Sequence, residues 1–270
     1  MSLKDRVVIV TGASAGIGRE TARAFAREGA RVTLAARRAD RLEALAGEIH
    51  ESGGEALAVP TDIADPAQVE VLVARTLKRW GRLDILVNNA GFGHVCRFEE
   101  LTEDEIHRLV EVNLLGTLYG IQAALPVMQR QGSGHIITVS SIVGKRGTPR
   151  NAVYVATKFA QVGLTESLRV ELARSGVHAS VVCPVGTDTE FVDAMIVKSP
   201  ATRSHVRQGP IQSAVHVANL IVRCAKRPRP EVYPYPPSRV LVLMNALAPG
   251  LVDRLLARLS PKLRPDGRLP

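Results

Sequence analysis

The sequence predicts an α/β fold, a doubly wound parallel sheet flanked by helices, followed by a C-terminal helical extension. Through the first 190 residues, short apolar runs alternate with amphipathic segments, which is typical of βαβ units. Several runs are almost wholly apolar, as expected for strands that helices cover on both faces. The predicted strands are residues 6–11, 31–36, 56–60, 83–88, 135–140 and 177–183.

The predicted helices carry signals at their ends. Asp65-Pro66, and Thr102 with Glu105, are typical of helix starts. Glycines that suit C-terminal caps follow three of the helical patterns, at Gly29, Gly81 and Gly176. The predicted helices are residues 16–28, 40–51, 66–80, 102–131 and 152–174.

The chain divides into one main domain and a tail. No linker or repeat precedes residue 190, so we predict a single domain over residues 1–237 and a basic amphipathic extension over 238–270. Within the domain, residues 190–212 have weak periodicity and are interrupted by Ser199-Pro200 and Gly209-Pro210. A segment after the sixth strand lies over the carboxyl ends of the strands, so we predict a mobile lid over about 186–212. A static surface loop is the alternative.

Composition excludes several classes of protein. Of 270 residues, 46% are apolar and 23% are charged, which are globular values. The three cysteines, Cys96, Cys183 and Cys224, are far apart and odd in number, which argues against a disulfide framework, and the sequence has no metal-ligand spacing. No signal-peptide pattern opens the sequence. We therefore expect no metal and a reducing, cytoplasmic location.

The net charge of +9 is confined to the end of the chain. Residues 200–270 carry 12 basic and 3 acidic side chains, a difference that equals the whole net charge. This distribution argues against a catalytic domain built around nucleic acid and favours a basic C-terminal surface.

A glycine-rich loop joins the first strand to the first helix. Gly12, Gly16 and Gly18 would let the backbone turn tightly and approach a pyrophosphate, and the helix N-terminus would supply N–H donors. The pattern predicts a dinucleotide site in a Rossmann-type fold. Because the spacing is G-x-x-x-G-x-G, an ordinary tight turn is the alternative.

Two arginines follow the second strand. A carboxylate at this point would bind ribose hydroxyls and repel a 2′-phosphate, but the strand ends in Ala35-Ala36 and continues into Arg37 and Arg38. Guanidinium groups suit a phosphate, so we predict NADP(H) in preference to NAD(H). Solvated surface charges are the alternative. Asp62, after the third strand, would accept from the adenine amino group or cap the helix from Pro66 onward.

Tyr154 and Lys158 lie four residues apart on a predicted helix, so both side chains point the same way. Tyrosine has a pKa of about 10, and a neighbouring positive charge lowers it. The pair is a candidate proton-transfer device. Strand ends contribute Asn88-Asn89-Ala90-Gly91 and Ser140-Ser141 to the same edge of the sheet, although either stretch alone is typical of a turn or a cap.

Thr11–Gly18, Asn88–Gly91, Ser141 and Tyr154-x-x-x-Lys158 together resemble the compact, single-domain branch of the short-chain dehydrogenase/reductase family, over roughly residues 4–195. Asn113 matches the family's helix asparagine, and the interval of 13 residues before Tyr154 selects Ser141 over Ser140. One departure follows the sixth strand, where Val185 stands in place of the usual glycine after Pro184. Val185 would alter the local geometry and narrow the pocket.

The resemblance implies hydride transfer between a nicotinamide and a ketone or secondary alcohol. Tyr154 would be the acid or base, and Lys158 would lower its pKa and hold the nicotinamide ribose. Ser141 would bind the substrate oxygen, and Asn113 would support a water path. Further cofactor contacts are expected from Gly12, Ser14, Gly16, Ile17, Gly18, Arg37, Arg38, Asp62, Ile63, Asn89, Ala90, Gly91, Pro184, Thr187 and Thr189.

The predicted substrate pocket is apolar, which favours a lipid-like or steroid-like ketone or alcohol. Its expected lining is Ile142, Val143, Val153, Val185, Phe191 and Met195. His94 would either reach this pocket or act as a surface or cap residue. A reductase of carrier-bound 3-ketoacyl groups is an alternative function, because a basic tail could attract an acidic carrier protein. A non-enzymatic NADP-binding protein is disfavoured, since a binder needs no proton donor.

The extension carries an apolar helical face with charged residues opposite. The face consists of Leu251, Val252, Leu255, Leu256 and Leu259. We expect it to pack on this domain or on a second subunit of a homodimer or homotetramer. Contact with an anionic membrane surface is the alternative, and the apolar run 240–248 is too short to span a bilayer.

Overall fold

The computed structural model describes residues 2–198 and 211–259 of the chain. Its centre is a seven-stranded sheet in which every neighbouring pair is parallel, in the order β11-β7-β6-β4-β1-β2-β3. These strands are β1 (Val7–Thr11), β2 (Arg31–Ala36), β3 (Glu55–Pro60), β4 (Ile85–Asn88), β6 (Gly134–Val139), β7 (Val177–Val182) and β11 (Glu231–Val232). The predicted fold class is confirmed.

Helices cover both faces of the sheet and enclose two apolar cores. One core lies under α1 (Gly16–Arg27), α2 (Ala39–Glu51) and α7 (Ala214–Lys226). The other lies under α3 (Pro66–Trp80), α5 (Gly116–Gln131) and α6 (Ala152–Glu171). Because both faces are covered, β1 is buried along its whole length, which explains its unbroken apolar sequence.

The predicted helix 102–131 is helical throughout but changes its winding in the middle. It consists of α4 (Glu103–Val110), a π-helical turn (Glu111–Leu115) and α5. Thr102 and Glu105 form the predicted capping box at its start. A π-turn inserts one extra residue per turn, and such turns are frequent at functional sites. Apolar periodicity does not reveal it, because the pattern stays helical on both sides.

The segment after β7 is more regular than the sequence predicts. Its β8 (Gly186–Asp188) pairs with β10 (Ile211–Ser213), and its β9 (Ile196–Val197) pairs with β5 (His94–Val95). These strands have two or three residues each, too few to show a period. The remaining part of the predicted lid, 199–210, lies outside the described residues.

Two short helices, α8 (Ser238–Leu247) and α9 (Pro249–Leu259), form the extension. Arg146 fastens them to the domain by donating to Asn245 Oδ1 at 2.8 Å and by pairing with Asp253. Val252 is fully buried and Leu256 is half-buried, but Leu251 and Leu255 are exposed. The predicted apolar face therefore packs against the domain with only part of its width. Residues 260–270 lie outside the description.

Candidate active site

Tyr154 and Lys158 lie one turn apart on α6 and are both buried. Ser141 lies beside the Tyr154 hydroxyl, and its Oγ donates to the Pro184 oxygen at 3.4 Å and accepts from the Val143 N–H at 3.3 Å. Ser140, by contrast, turns away and donates to the backbone oxygen of Lys158 at 2.9 Å, fastening α6 to the end of β6. The structure thus brings Ser141, and not Ser140, to the tyrosine hydroxyl.

The ammonium nitrogen of Lys158 lies beneath the tyrosine ring. It is 5.6 Å from the centroid of that ring. It donates to the backbone oxygen of Val139 at 3.1 Å and to Oε1 of Gln161 at 2.9 Å. The lysine therefore reaches the site through the core of the domain, held by one strand and by its own helix.

Burial shifts the pKa values of the two groups in opposite directions. It raises the pKa of Tyr154 above its ordinary value, although the neighbouring Ser141 hydroxyl acts the other way. It lowers the pKa of Lys158 to about 7. The sequence predicts a lowered tyrosine pKa, and the structure differs because burial penalises the phenolate. Tyr154 consequently carries its proton at neutral pH, as a general acid must.

Asn113 lies in the π-turn and joins three elements. Its side chain donates to the oxygen of Phe92 at 2.8 Å and to Thr157 Oγ1 at 3.2 Å, and accepts from the Phe92 N–H at 3.0 Å. Its backbone oxygen accepts from Thr117 and Gln161. Asn113 thereby fixes the loop after β4 against α6.

The glycine loop has the space and the donors that a pyrophosphate requires. Gly12 has a φ of +67°, and a Cβ on Gly18 would lie 2.2 Å from the Gly12 oxygen and 2.6 Å from Asn89 Nδ2. Ala15, at the N-cap of α1, makes no side-chain hydrogen bond to the helix N–H groups. These donors suit phosphate oxygens, so the residues fit a dinucleotide.

Thr11, at the end of β1, ties the two cofactor loops together. Its Oγ1 accepts from the N–H groups of Asn89 and Ala90 at 2.9 and 3.0 Å. Asn89 in turn donates through Nδ2 to the Thr11 backbone oxygen at 2.9 Å. Gly91 has no side chain, which leaves space for Asn113. A Cβ at this position would lie only 2.9 Å from Asn113 Oδ1. Sequence reasoning misses the role of Thr11, which reads as the last residue of a strand.

Basic side chains gather after β2. Arg38 donates to Ser14 Oγ through Nε and Nη2, at 3.2 and 2.9 Å, and Arg37 is exposed. Arg41, absent from the sequence prediction, binds Glu190 at 2.6 Å and lowers its pKa. Glu190 lies just after Thr189, whose side chain is close to Gly16. The beginning of the segment after β7 therefore lies beside the glycine loop.

Asp62 does not cap the following helix, which corrects one of its two predicted roles. Asp65 is the N-cap of α3, because its carboxylate accepts from the Ala67 and Gln68 N–H groups. Asp62 instead binds Arg108 at 2.8 Å. Burial tends to raise the pKa of Asp62, but the interactions with Arg108, the Ala64 N–H and Arg37 together outweigh it, and the pKa is lowered. The neighbouring Ile63 packs against Gly116 at the π-turn.

Apolar side chains lie beside the tyrosine. The ring centroids of Phe191 and Tyr154 are 5.9 Å apart, and Met195 and Phe191 both lie close to Gly93. The Ile142 N–H donates to the Pro184 oxygen at 2.8 Å, which holds the ends of β6 and β7 together. The other predicted lining residues are at least partly buried: Val143 and Val185 follow the ends of β6 and β7, and Val153 lies in the first turn of α6. Thr187 lies on β8, and its Oγ1 donates a hydrogen bond to the backbone oxygen of Val185 at 3.0 Å.

His94 is a buried helix-capping residue. Its Nε2 accepts from the Val153 N–H in the first turn of α6 at 3.1 Å, and its Nδ1 contacts Cys96 Sγ at 3.5 Å. Burial lowers the pKa of His94, which favours the neutral imidazole that this bond needs. The predicted cap role is therefore correct, but neither the surface position nor the pocket is.

Comparison with known proteins agrees with this geometry. Residues 6–198 match the short chain dehydrogenase family. The chain belongs to this family. It is 39% identical over 195 residues to an uncharacterized oxidoreductase of Staphylococcus saprophyticus, covering 71% of this chain and 78% of that one.

Two solved structures share the fold. A short-chain dehydrogenase/reductase from Burkholderia phymatum in complex with NAD has a TM-score of 0.86 and 26% identity, covering 93% of this chain and 96% of its own. An alcohol dehydrogenase from Thermococcus sibiricus complexed with 5-hydroxy-NADP has a TM-score of 0.75 and 33% identity, with coverages of 85% and 96%. The fold is thus one that holds nicotinamide cofactors.

Replacing Tyr154 by phenylalanine removes one oxygen and the proton that it carries. We expect kcat for carbonyl reduction to fall by about 10² to 10⁴-fold, because general-acid catalysis typically contributes that much. NADPH binding, followed by fluorescence titration, should change little. Tyr235→Phe, the same change in an exposed ring, is the control. Full turnover in Tyr154→Phe would exclude the tyrosine as proton donor.

Proposed function

We propose that this short-chain dehydrogenase is an NADP(H)-dependent carbonyl reductase or alcohol dehydrogenase acting on a ketone or secondary alcohol. The observation that carries the proposal is the buried Tyr154 hydroxyl beside Ser141, with the Lys158 nitrogen 5.6 Å from the centroid of the tyrosine ring. Two such hydroxyls can bind one carbonyl oxygen together. When bound, the nicotinamide supplies the hydride for reduction and accepts it in the reverse reaction.

Three side chains of the protein, Ser141, Tyr154 and Lys158, act on the substrate oxygen and its proton. Ser141 donates a hydrogen bond to the substrate oxygen and stabilises negative charge as it develops there. Tyr154 transfers its proton to the same oxygen. The positive form of Lys158 beneath the ring favours the phenolate that remains, which offsets the penalty that burial imposes.

The NADP preference has support from charge. Arg37 and Arg38 follow a strand that ends without a carboxylate, and Arg41 adds a third guanidinium nearby. The ion pair of Arg38 and Arg41 with Glu190 supports the view that this cluster attracts negative groups. Asp62 remains a candidate acceptor for the adenine, with Ile63 beside it. Since NADPH is a reductant, we propose reduction as the main direction.

The apolar lining supports a hydrophobic substrate. Phe191 stacks obliquely beside Tyr154, and Val185 adds a branched side chain where the family usually has glycine. A flat or extended apolar ketone would contact these groups while its oxygen reaches Ser141. We propose this substrate class over small polar sugars.

The test is a screen of NADPH oxidation, at 340 nm, over apolar ketones, aldehydes, steroid ketones and 3-ketoacyl carrier thioesters. We expect turnover of apolar free ketones. Turnover confined to carrier thioesters would instead favour the carrier-bound 3-ketoacyl reductase. Tight NADPH binding without turnover of any substrate would indicate a non-enzymatic NADP-binding protein.

Arg37→Asp places a carboxylate where NAD-binding folds carry one. We expect the ratio of kcat/KM for NADPH to that for NADH to fall by at least about tenfold, because the carboxylate repels the 2′-phosphate and binds the ribose. Arg174→Asp, at an exposed position after α6, is the charge-matched control. An unchanged ratio would exclude Arg37 from the phosphate site.

We further propose a cytoplasmic homo-oligomer whose extension contacts anionic membranes. Free, buried Cys96, Cys183 and Cys224 support a reducing location. Exposed Phe159 and Val170 on α6 support association between copies. In the described ranges, no helix is long and apolar enough to cross a bilayer.

Support for membrane contact comes from α8, which exposes a stripe spaced at i, i+3, i+4 and i+7. The stripe consists of Val240, Leu243, Met244 and Leu247. Arg239, Arg254 and Arg258 lie on the same two helices, whereas Asp253 is paired with Arg146. Two copies joined by this face would bring like charges together, whereas an anionic lipid surface would neutralise them.

Flotation with vesicles containing phosphatidylserine tests this contact. We expect the protein to float with anionic vesicles and to remain below with neutral ones, and Leu243→Glu with Leu247→Glu should abolish flotation. Val71→Glu, at an exposed position on α3, is the control. If the wild-type protein does not float, and the two glutamates instead dissociate an oligomer in sedimentation analysis, the stripe is a subunit interface.

A further inference from the structure

Gln161 is a fully buried polar side chain that no motif of the sequence singles out. It lies three residues after Lys158 and seven after Tyr154, so all three lie on the same side of α6. Its side-chain amide makes three hydrogen bonds, to Lys158, to Asn113 and to Thr117. The amide therefore connects the lysine to the π-turn.

The partners decide which way the amide points. The backbone oxygen of Asn113 can only accept, so Nε2 of Gln161 must face it, at 2.6 Å. Thr117 gives its own proton to the same oxygen at 2.9 Å and accepts from Nε2 at 3.0 Å. Oε1 is then directed at the Lys158 nitrogen, 2.9 Å away. Lys158 therefore faces an acceptor oxygen whose orientation is fixed by the hydrogen bonds that Nε2 of the same amide makes to Asn113 and Thr117.

This arrangement leaves Lys158 one free direction. Two of its N–H groups are taken by Val139 O and Gln161 Oε1. Gly91 lies near the nitrogen, and even a Cβ on that glycine would remain 3.8 Å away. The third N–H is thus available toward the cofactor loop and Tyr154. An acceptor oxygen also favours the ammonium form, in opposition to burial.

The Asn113 oxygen has both lone pairs occupied by Thr117 and Gln161. A link made of a backbone oxygen and a carboxamide orients the lysine but does not pass protons along.

We propose that Gln161 is a positioning residue that holds Lys158 in its ammonium form and aims it at the reaction centre. The proposal rests on the proposed reductase function and adds to it a residue that touches neither substrate nor cofactor. Gln161 acts through Lys158 and couples it to the π-turn that carries Asn113.

Few other titratable groups surround the lysine. Tyr154 faces it from α6 itself, and Cys183 faces it from the end of β7. Burial raises the pKa of Cys183 to about 12, so the thiol stays neutral in the range of interest. Lys145, Glu166 and Glu231 lie beyond that thiol and pair with one another. The helix α5 and the cofactor loop face the lysine with uncharged groups.

The test compares pH profiles of kcat/KM for NADPH, which report the free enzyme. Activity that needs the ammonium form is lost as pH rises through the lysine pKa. Gln161→Met, similar in size but without the acceptor, should move this loss to lower pH by about one unit, and cost about tenfold at pH 8. Gln161→Glu should move it to higher pH, because a carboxylate favours the ammonium.

Gln131→Met is the matched control, since Gln131 also bonds the backbone through both ends of its amide, at Leu83. It should lower stability without moving the profile. If both Gln161 variants lose activity equally at every pH, or keep the wild-type profile, the positioning role is overturned while the reductase function stands. If the wild-type protein oxidises no NADPH, the function fails. NMR titration of Lys158 in Gln161→Met then tests the inference, which predicts a lower pKa than in the wild-type protein.

Discussion

The burial of Tyr154 and Lys158 on adjacent turns of one helix is the constraint on which the rest of the site depends. Burial favours the neutral form of each group, so it keeps the proton on tyrosine and loosens the one on lysine. A tyrosine that keeps its proton is suited to act as an acid. The lowered pKa of Lys158 must be opposed, because only a positively charged lysine can stabilise the phenolate. The acceptors Val139 O and Gln161 Oε1 supply that opposition, and their positions follow from β6, α6 and the π-turn.

The fold explains why these groups meet. Parallel strands present their carboxyl ends at one edge, so Thr11, Ser141 and Pro184 arrive there from β1, β6 and β7. Glycines keep the same edge open, since a side chain at Gly18 would collide with the backbone of its own loop. The segment after β7 then passes beside the loop and brings Phe191 to the tyrosine. The residues proposed for acid chemistry and those proposed for the substrate pocket thus come from different elements.

The sequence predicts the sheet and its helices well, because covered strands and capped helices leave strong local patterns. Pro66–Trp80 is predicted to the residue from Asp65-Pro66 and Gly81. Features that depend on partners distant in sequence are not visible in it. The π-turn keeps helical periodicity, β11 has two residues within a proline-rich stretch, and Asp62 pairs with Arg108, 46 residues away. Gln161 lies at a helical spacing from Lys158 that could have identified it, but a glutamine there is also typical of a solvated face.

The pKa of Lys158 is the quantity that tests this account most directly. It can be measured by NMR titration of the side-chain ¹³Cε and ¹⁵Nζ resonances in the cofactor-free protein, with Lys158→Arg to assign the signal. The account predicts a midpoint near 7, because burial lowers the pKa of Lys158 more than the nearby Cys183 raises it. A midpoint at the ordinary value of 10.5 would contradict it, since the lysine would then be solvated and the pair would not share a buried site.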